Sequence, residues 1–243
     1  MTATRRATAN NILNRVGPEV GLPADSNPFE STDQNYIQMK TLLNIAGDDL
    51  ADLWNWQFLI ATYTLPNGSG DAGAYEFPAD YLRMVNQTQW EATTQRPLSG
   101  PLSPQEWQLL TNSSLGSVLD VSFRLRDGMI HISPDTVEEG DDITFEYISR
   151  NWAIDSSNGT TPISECVNGG DIVLYDRNLI SRMLKVKWLE AKNFDTTKAQ
   201  ADLNQTFALL TSSDKGAPVL NAAGSRGRMF INTWNAPDTG YGS

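Results

Sequence analysis

The sequence predicts an α+β fold: a helical bundle with an inserted antiparallel β-rich domain and an extended C-terminal tail. Two long stretches of the 243-residue chain, one near each end, carry apolar residues at the three- and four-residue steps of amphipathic helices. The segment between them alternates apolar and polar residues between turn signals, which is typical of antiparallel strands. The periodic pattern ends at Gly216. We therefore predict the bundle from residues 1–57 and 165–215, the insert from 58–164 and the tail from 216–243.

The N-terminal part predicts two helices with a loop between them. Thr8–Val16 has apolar residues at helical spacing, and Gly17-Pro18 is expected to end this helix. Residues 18–31 are rich in loop-forming residue types. A long helix is predicted from about Ser31 to Trp56. Its Gly47 costs roughly 1 kcal/mol of helix propensity relative to alanine, so we expect another element to pack closely against it.

The first half of the insert predicts two strands and a short helix. Phe58–Leu65 favours a strand, and Tyr75-Glu76-Phe77 favours a shorter one. One helical turn is predicted for Ala79–Arg83. Ser103-Pro104-Gln105-Glu106 is a capping box with proline at the first helical position, so a short helix is expected over Pro104–Leu110.

The second half of the insert predicts a hairpin and a third strand. Apolar and polar residues alternate from Val121 to Arg126, and Asp127-Gly128 favours a two-residue turn. Met129–Ser133 is then the returning strand. After an acidic loop at 134–142, alternation resumes at 143–147 and predicts a third strand.

Two further helices are predicted after a polar connection. Asp171 is expected to cap a helix that runs to about Lys192, and Asp195 to cap a last helix that ends before Gly216 and Pro218. The first of these helices has apolar residues on more than one face, so it needs partners on more than one side. We assign four of its residues to a subunit interface: Tyr175, Leu179, Met183 and Trp188.

Composition excludes several classes of function. The chain has 29 acidic and 18 basic residues and a net charge of −11, so its surface should repel DNA phosphates and not read a DNA sequence. Cys166 and His131 are the only residues of their types, which excludes an intramolecular disulfide and a cysteine/histidine zinc site. No signal peptide and no membrane-spanning segment is predicted, so we expect no membrane contact.

The residues that could carry chemistry favour structural interpretations. His131 alternates with two isoleucines and is expected on the outer face of its strand, without a nucleophile beside it. Asp48-Asp49 is predicted to lie on a solvated helix face, and Glu138–Asp142 to form an acidic turn without calcium-loop spacing. The glycines at 68, 70 and 73 do not open a helix after a strand, so they form a loop and not a nucleotide site. We predict no enzyme activity, no cofactor and no metal.

The C-terminal tail combines loop-forming residues with large apolar ones. Disordered linkers are normally poor in large apolar side chains, so this tail is expected to fold either onto a partner, which we favour, or back onto its own chain. The residues assigned to that contact are Arg226, Arg228, Met229, Phe230 and Trp234.

Six segments carry a resemblance to a known family: Asp33–Trp56, Phe58–Leu65, Pro78-Ala79-Asp80-Tyr81-Leu82-Arg83, Arg96–Trp107, Asp171–Lys192 and Asp195–Ser213. The first is a long helix that runs directly into a strand, and the last two are a helix pair. In this order the chain resembles the tail tubular protein A family, the head-to-tail adaptors of short-tailed phages that lie beneath the portal. The resemblance covers most of residues 5–213 as architecture and pattern, and the tail matches least.

The resemblance implies a virion structural protein, assembled in the host cytoplasm. It would form a ring, normally of twelve copies, that joins the portal to the tail nozzle or the next tail component. The helices would surround a DNA channel, and an acidic lumen would let DNA pass without sequence-specific binding. In such adaptors the C-terminal extension reaches the portal, which would give this role to Arg226–Trp234.

Two other functions stay open at this stage. The chain could be another ring protein of the same particle, such as a nozzle or head-completion subunit with different neighbours. It could also bind or hydrolyse carbohydrate, using some of its seven tryptophans and a pair of carboxylates. Loss of glycan binding on replacing Trp90 or Trp107 would favour this last function.

Overall fold

A computed structural model describes residues 5–65, 73–91, 95–112, 121–133 and 143–214 of the chain. Within these ranges the helices are α1 (Ala9–Glu19), α2 (Gln34–Leu53), α3 (Pro104–Asn112), α4 (Arg177–Ala191) and α5 (Thr197–Asp214). The strands are β1 (Ala7–Thr8), β2 (Ile60–Thr64), β3 (Ala74–Glu76), β4 (Tyr81–Met84), β5 (Trp90–Glu91), β6 (Arg96–Pro97), β7 (Ser122–Arg126), β8 (Met129–Ser133), β9 (Ile143–Ser149), β10 (Ala153–Ile154), β11 (Pro162–Ile163) and β12 (Ile172–Val173). Helices and antiparallel sheets confirm the predicted α+β class.

Helix α4 lies at the centre of the helical part. It packs against α1, α2 and α5. A small antiparallel sheet with the order β1-β12-β10-β11 adjoins these helices, and β1 leads directly into α1. The Thr8 side chain caps α1 by accepting a hydrogen bond from the Asn11 amide at 3.3 Å. The apolar sides of the helices meet in one core, which also includes Trp152 and Ala153.

The strands between α2 and β10 form two further sheets. Strand β9 is central to the larger sheet, where it pairs with β2 along one edge and with β4 and β5 along the other. The smaller sheet has the order β3-β8-β7. Side chains from these strands enclose a second core that includes Phe123, Ile130 and Phe145. The division into bundle and insert stays a prediction. Trp152 and Ala153, which it assigns to the insert, pack in the helical core.

Two local predictions in the strand region are confirmed. In the capping box, the Glu106 carboxylate accepts a hydrogen bond from the Ser103 amide at 2.8 Å, and the Glu106 amide donates to Ser103 Oγ at 3.3 Å. The hairpin turn has positive φ at Asp127 (55°) and Gly128 (73°), as a type I′ turn requires. The predicted third strand exists as β9, but it pairs in the other sheet and not with this hairpin.

Several predicted helix limits are wrong. Pro18 lies inside the last turn of α1, where it lacks the N–H that would donate to the Asn14 carbonyl, and the helix ends one residue later at Glu19. Helix α2 ends at Leu53, since Trp54 is already extended with φ −153° and ψ 153°. Helix α4 starts at Arg177 and is capped by Asp176, whereas Asp171 precedes strand β12.

Candidate assembly surfaces

The four residues assigned to a subunit interface, three on α4 and Tyr175 just before it, are buried in the single chain. Their exposed fractions are Tyr175 1%, Leu179 1%, Met183 7% and Trp188 3%. The partners that the apolar faces of α4 need are present in the same chain, because α1, α2 and α5 pack against it. The four residues are core residues of the single chain, and their role at a subunit interface stays a prediction for the assembled ring.

The close approach predicted at Gly47 is confirmed, and Trp152 is the partner. A Cβ atom added to Gly47 would lie 2.3 Å from Trp152 Cε2, so no side chain fits there. The Trp152 indole donates a hydrogen bond to Asp48 Oδ1 at 2.9 Å. Tyr175 stacks on Trp152, with ring centroids 6.1 Å apart, and its hydroxyl donates to the Gly47 carbonyl at 3.0 Å. These contacts join α2 to the residue that precedes β10 and to the segment that follows β12.

The acidic face of α2 is only partly the solvated surface that the sequence predicted. Asp48 is exposed as a residue, but partial burial of its carboxylate raises its pKa. The hydrogen bond from Trp152 opposes this shift, and the negative charges of Asp49, Asp52 and Glu165 add to it. Asp49 forms an ion pair with Lys187 of α4. The acids therefore give this side of the helical part a negative surface.

Arg83 joins the strand region to the end of α2. Its guanidinium donates to the carbonyl oxygens of Ala51 and Trp54, both at 2.8 Å, and to Asn55 Oδ1 at 2.9 Å. The last carbonyls of a helix have no partner within the helix and carry partial negative charge, so a cation stabilises them. Arg83 thus caps α2 from a strand that follows it in the chain.

Asp80 fixes the same segment to β9. Its carboxylate accepts hydrogen bonds from the Tyr147 hydroxyl at 2.9 Å and from Ser149 Oγ at 2.6 Å. Burial, followed by the hydrogen bond and charge of Asp80, raises the pKa of Tyr147 to about 12. The helical turn predicted for Ala79–Arg83 is wrong: its second half is strand β4, because pairing with β9 satisfies its backbone groups.

Asp171 organises the loop that precedes β12. Its buried carboxylate accepts hydrogen bonds from the Ser156 amide and hydroxyl at 2.9 and 2.8 Å, and from the amides of Val167 and Asn168 at 2.8 and 2.7 Å. Burial alone would raise the pKa of Asp171, but the hydrogen bonds from Asn168, Ser156 and Val167 outweigh it and hold the pKa below its ordinary value. We predicted from the sequence that Asp171 caps a helix, and its role in holding this loop was not predicted.

Asp171→Asn is expected to lower the free energy of unfolding by about 2–3 kcal/mol at pH 7, because an amide cannot accept all four hydrogen bonds. A carboxyl whose folded pKa is depressed stabilises the protein above its unfolded pKa of about 3.9, and this contribution is lost as pH falls through the folded pKa. Urea unfolding at pH 7 and pH 3 should therefore show a smaller difference between variant and wild type at pH 3.

Asp155→Asn is the matched control for this change, because the Asp155 carboxylate accepts its hydrogen bonds from Ser157 of the same exposed turn. It should alter stability by less than about 1 kcal/mol. Equal losses for the two variants, or a loss at Asp171 that does not depend on pH, would contradict the role given to Asp171.

Two grooves run along α5, one on each side. The first, which we name the acidic groove, has a volume of about 500 Å³, lies between α2, α4 and α5, and is lined by Asp49, Leu50, Asp52, Leu53, Met183, Val186, Lys187, Glu190, Gln200, Leu203, Asn204 and Phe207. The second, the basic groove, has a volume of about 770 Å³ and carries Arg5, Arg6 and Arg182. Tyr175 and Leu179 also line the basic groove. A partner that enters either groove would therefore reach residues of α4.

Large apolar side chains are exposed on α2 and beside it. Ile37 and Ile45 lie on α2, and each is more than one-third exposed. Val167 is also exposed, and the two hydrogen bonds between the Asn44 side chain and the backbone of Cys166, at 3.1 and 3.2 Å, hold its segment against α2. Burial of exposed apolar side chains by a partner is favourable. This α2 face is therefore a candidate contact surface that the sequence analysis did not identify.

Comparison with protein families identifies the chain. A family model described as SU10 adaptor protein matches residues 7–228, which is nearly the whole sequence. The chain belongs to the SU10 adaptor protein family. The predicted resemblance to head-to-tail adaptors of short-tailed phages is thereby confirmed. As a phage adaptor, the protein is a component of the virion. No curated protein matches the chain.

The match to the SU10 adaptor family extends beyond the last described helix. Helix α5 ends at Asp214, whereas the match runs to residue 228 and so includes Arg226 and Arg228. All five residues assigned to portal contact, from Arg226 to Trp234, lie outside the described residues. The predicted acidic turn Glu138–Asp142 and the glycines at 68 and 70 lie outside them as well.

The environments of Cys166 and His131 in this family member are those of side chains with a structural role. Burial, followed by the charges of Asp171 and Glu165, raises the pKa of Cys166 to about 12, so its thiol is protonated at neutral pH. Ile130 and Ile132 face the core as predicted, and His131 between them is half-buried. In the ranges that the structure covers, no group of three or more histidine, cysteine, aspartate or glutamate residues could hold a metal ion. None of the described helices could span a membrane.

Four tryptophans of the described residues belong to the helical core or pack against it. Trp56, Trp152 and Trp188 are each at most 3% exposed, so they cannot stack on a sugar ring from solvent. Trp54 packs edge-on against Phe207, with ring centroids 6.3 Å apart. The carbohydrate-binding alternative therefore receives no support from these four residues.

Proposed function

We propose that the protein is one subunit of a closed ring that joins the portal to the tail and lines the DNA channel. The observation that carries this proposal is the match of the SU10 adaptor family over residues 7–228. Ring formation requires a head-to-tail contact between two different surfaces of neighbouring copies. The number of copies proposed from the resemblance is twelve, and the partner on the other side of the ring is the nozzle or the next tail component.

Two kinds of surface support the ring contact. The exposed α2 face with Ile37, Ile45 and Val167 can contact a neighbouring copy directly. The grooves beside α5 can receive a segment of a neighbour, which would then touch Tyr175, Leu179 or Met183 from outside. In this arrangement the buried residues of α4 contribute to an interface as the floor of a groove, and Trp188 supports them from the core.

The charge of the chain supports the proposed channel. A net charge of −11 per copy would give a ring a strongly negative surface. DNA phosphates are repelled by such a surface, so DNA could slide through without being held at any sequence. We propose no sequence-specific DNA contact and no enzymatic step.

The C-terminal tail is proposed to dock on the portal through Arg226, Arg228, Met229, Phe230 and Trp234. Deletion of Gly216–Ser243 is therefore expected to abolish binding to the portal protein of the same phage while the fold is retained. Helix α5 and both cores are built from residues before Gly216, so the far-ultraviolet circular dichroism spectrum and the unfolding transition should persist. Co-sedimentation of the variant with portal rings measures the docking.

A full-length variant with Arg124→Glu and Arg126→Glu is the control, because it changes two positive charges on the hairpin and leaves the tail intact. It should co-sediment with the portal as the wild type does. Undiminished co-sedimentation of the truncated protein would refute the role of the tail.

A further inference from the structure

The acidic groove leaves Leu53 of α2 exposed and Phe207 of α5 partly exposed. Its apolar lining residues are Leu50, Leu53, Met183, Val186, Leu203 and Phe207. Leu53 is 56% exposed although it is a large apolar side chain at the end of α2. A volume of about 500 Å³ lies within the range of about 300–1,000 Å³ that is typical of small-ligand pockets. The groove is thus large enough for a few side chains of a peptide segment and too small for a domain.

The charges of this groove favour a basic occupant. Three acids (Asp49, Asp52 and Glu190) line it together with one base, Lys187, which leaves a net charge of −2. Asp49 is already paired with Lys187. Asp52 lies 3.8 Å from Arg83, but its side chain is 70% exposed and can accept another cation. An occupant that matches the groove therefore carries two positive charges beside apolar side chains.

One segment outside the described residues has this composition. Residues 226–234, with the sequence RGRMFINTW, carry two arginines, one phenylalanine and one tryptophan, and no acid. The segments 66–72, 113–120 and 134–142 contain no lysine, arginine or aromatic residue, and 92–94 contains only alanine and threonine. The tail is thus complementary to the acidic groove in both charge and apolar content.

The tail can also reach the groove within one chain. Helix α5, which forms one wall, ends at Asp214, and the eleven residues Lys215–Ser225 precede Arg226. Fully extended, they span up to about 36–40 Å. The α5 residues of the groove, Gln200–Phe207, lie 7 to 14 positions before Asp214, which is about 10–21 Å along the helix. The connection is therefore long enough to return along α5 without strain.

We propose that, before assembly, residues Arg226–Trp234 bind in the acidic groove of their own chain. The arginines face Asp52 and Glu190, and the apolar side chains cover Leu53 and Phe207. The free subunit thereby hides the segment that docks on the portal, and docking requires its release. Only this release step rests on the proposed function; binding of the tail in its own groove does not.

A disulfide between the two partners tests the proposal in the full-length protein. The test variant carries Leu53→Cys and Phe230→Cys, and the natural Cys166 is buried and unreactive. Under mild oxidation the intramolecular disulfide should form about ten-fold or more faster than in a control that pairs Phe230→Cys with Leu109→Cys, since docking raises the effective concentration of the two thiols. Leu109 lies on α3 and is 71% exposed, so its thiol is accessible. Non-reducing electrophoresis and thiol counting measure the two rates.

Adding Glu190→Lys to the test variant should reduce the rate of disulfide formation to that of the control, because it removes one negative charge from the groove and adds a positive one. Equal rates in the test and control variants would overturn the proposal. Disulfide-linked dimers as the main product of the test variant would also overturn it, since they assign the groove to the tail of a second copy. Co-sedimentation with the portal is a separate measurement, so failure of portal docking is distinguishable from failure of the intramolecular contact.

Discussion

Trp152→Ala is expected to lower the free energy of unfolding by about 3–5 kcal/mol, the typical cost of truncating a large buried aromatic residue. Trp152 is fully buried and lies against Gly47, which has no side chain of its own to fill the space. The change removes the stacking contact with Tyr175 and the hydrogen bond to Asp48 in addition to the apolar area. Urea unfolding followed by circular dichroism measures the loss.

Trp107→Ala is the matched control for Trp152. It removes the same side chain from α3, which has no buried residue, so the expected loss is below about 1 kcal/mol. A Trp152→Ala protein with nearly wild-type stability would contradict the packing described for α2, because it would mean that the space above Gly47 is closed by something other than Trp152.

Arg83→Met is expected to cost about 2–3 kcal/mol, because it leaves the carbonyls of Ala51 and Trp54 without their charged donor. Methionine keeps much of the apolar stem, so the loss reports mainly the hydrogen bonds and the charge at the helix end. Since Arg83 joins the strand region to α2, we also expect unfolding of the two regions to become less cooperative. Urea unfolding followed by circular dichroism and by tryptophan fluorescence should then give two midpoints that no longer coincide.

Arg150→Met provides the comparison for Arg83. Arg150 is exposed and its side chain donates to one backbone carbonyl, that of Tyr81, at 3.0 Å. The expected cost is below about 1 kcal/mol, with coincident transitions. A similar loss from both arginine variants would show that a surface arginine of this kind suffices, and the role of Arg83 as the joint would then be wrong.

Elements with strong local signals could be predicted from the sequence. The capping box at Ser103 and the Asp127-Gly128 turn depend on residues within a few positions of one another, and both are present. The need for a close neighbour at Gly47 was also predictable, since a glycine in a long helix is costly. The identity of that neighbour was not, because Trp152 is more than one hundred positions away.

The predictions that failed concern features that depend on contacts between residues far apart in the sequence. Strands β1, β10, β11 and β12 have two residues each, too few for any alternation to appear in the sequence. Asp171 and Asp176 are both good helix caps by residue type, and only the four hydrogen bonds to Asp171 show why the helix begins after Asp176. The coverage of α4 by three other helices was missed because an apolar side does not reveal whether its partner lies in the same chain.

The two candidate surfaces also differ in whether local sequence could predict them. The tail residues stood out by composition, since residues 226–234 carry two arginines, a phenylalanine and a tryptophan and no acid, in a chain whose net charge is −11. The acidic groove could not be predicted, because its residues come from three helices whose arrangement is set by the core. Leu53 and Glu190, for example, are neighbours only after α2 and α4 have packed together.

Electron microscopy of the full-length protein mixed with the portal protein of the same phage tests the central claim most directly. We expect closed rings of the chain, of about twelve copies by family resemblance, seated on the portal around an open axial channel. Copies that remain single and unattached to the portal at every concentration would contradict it.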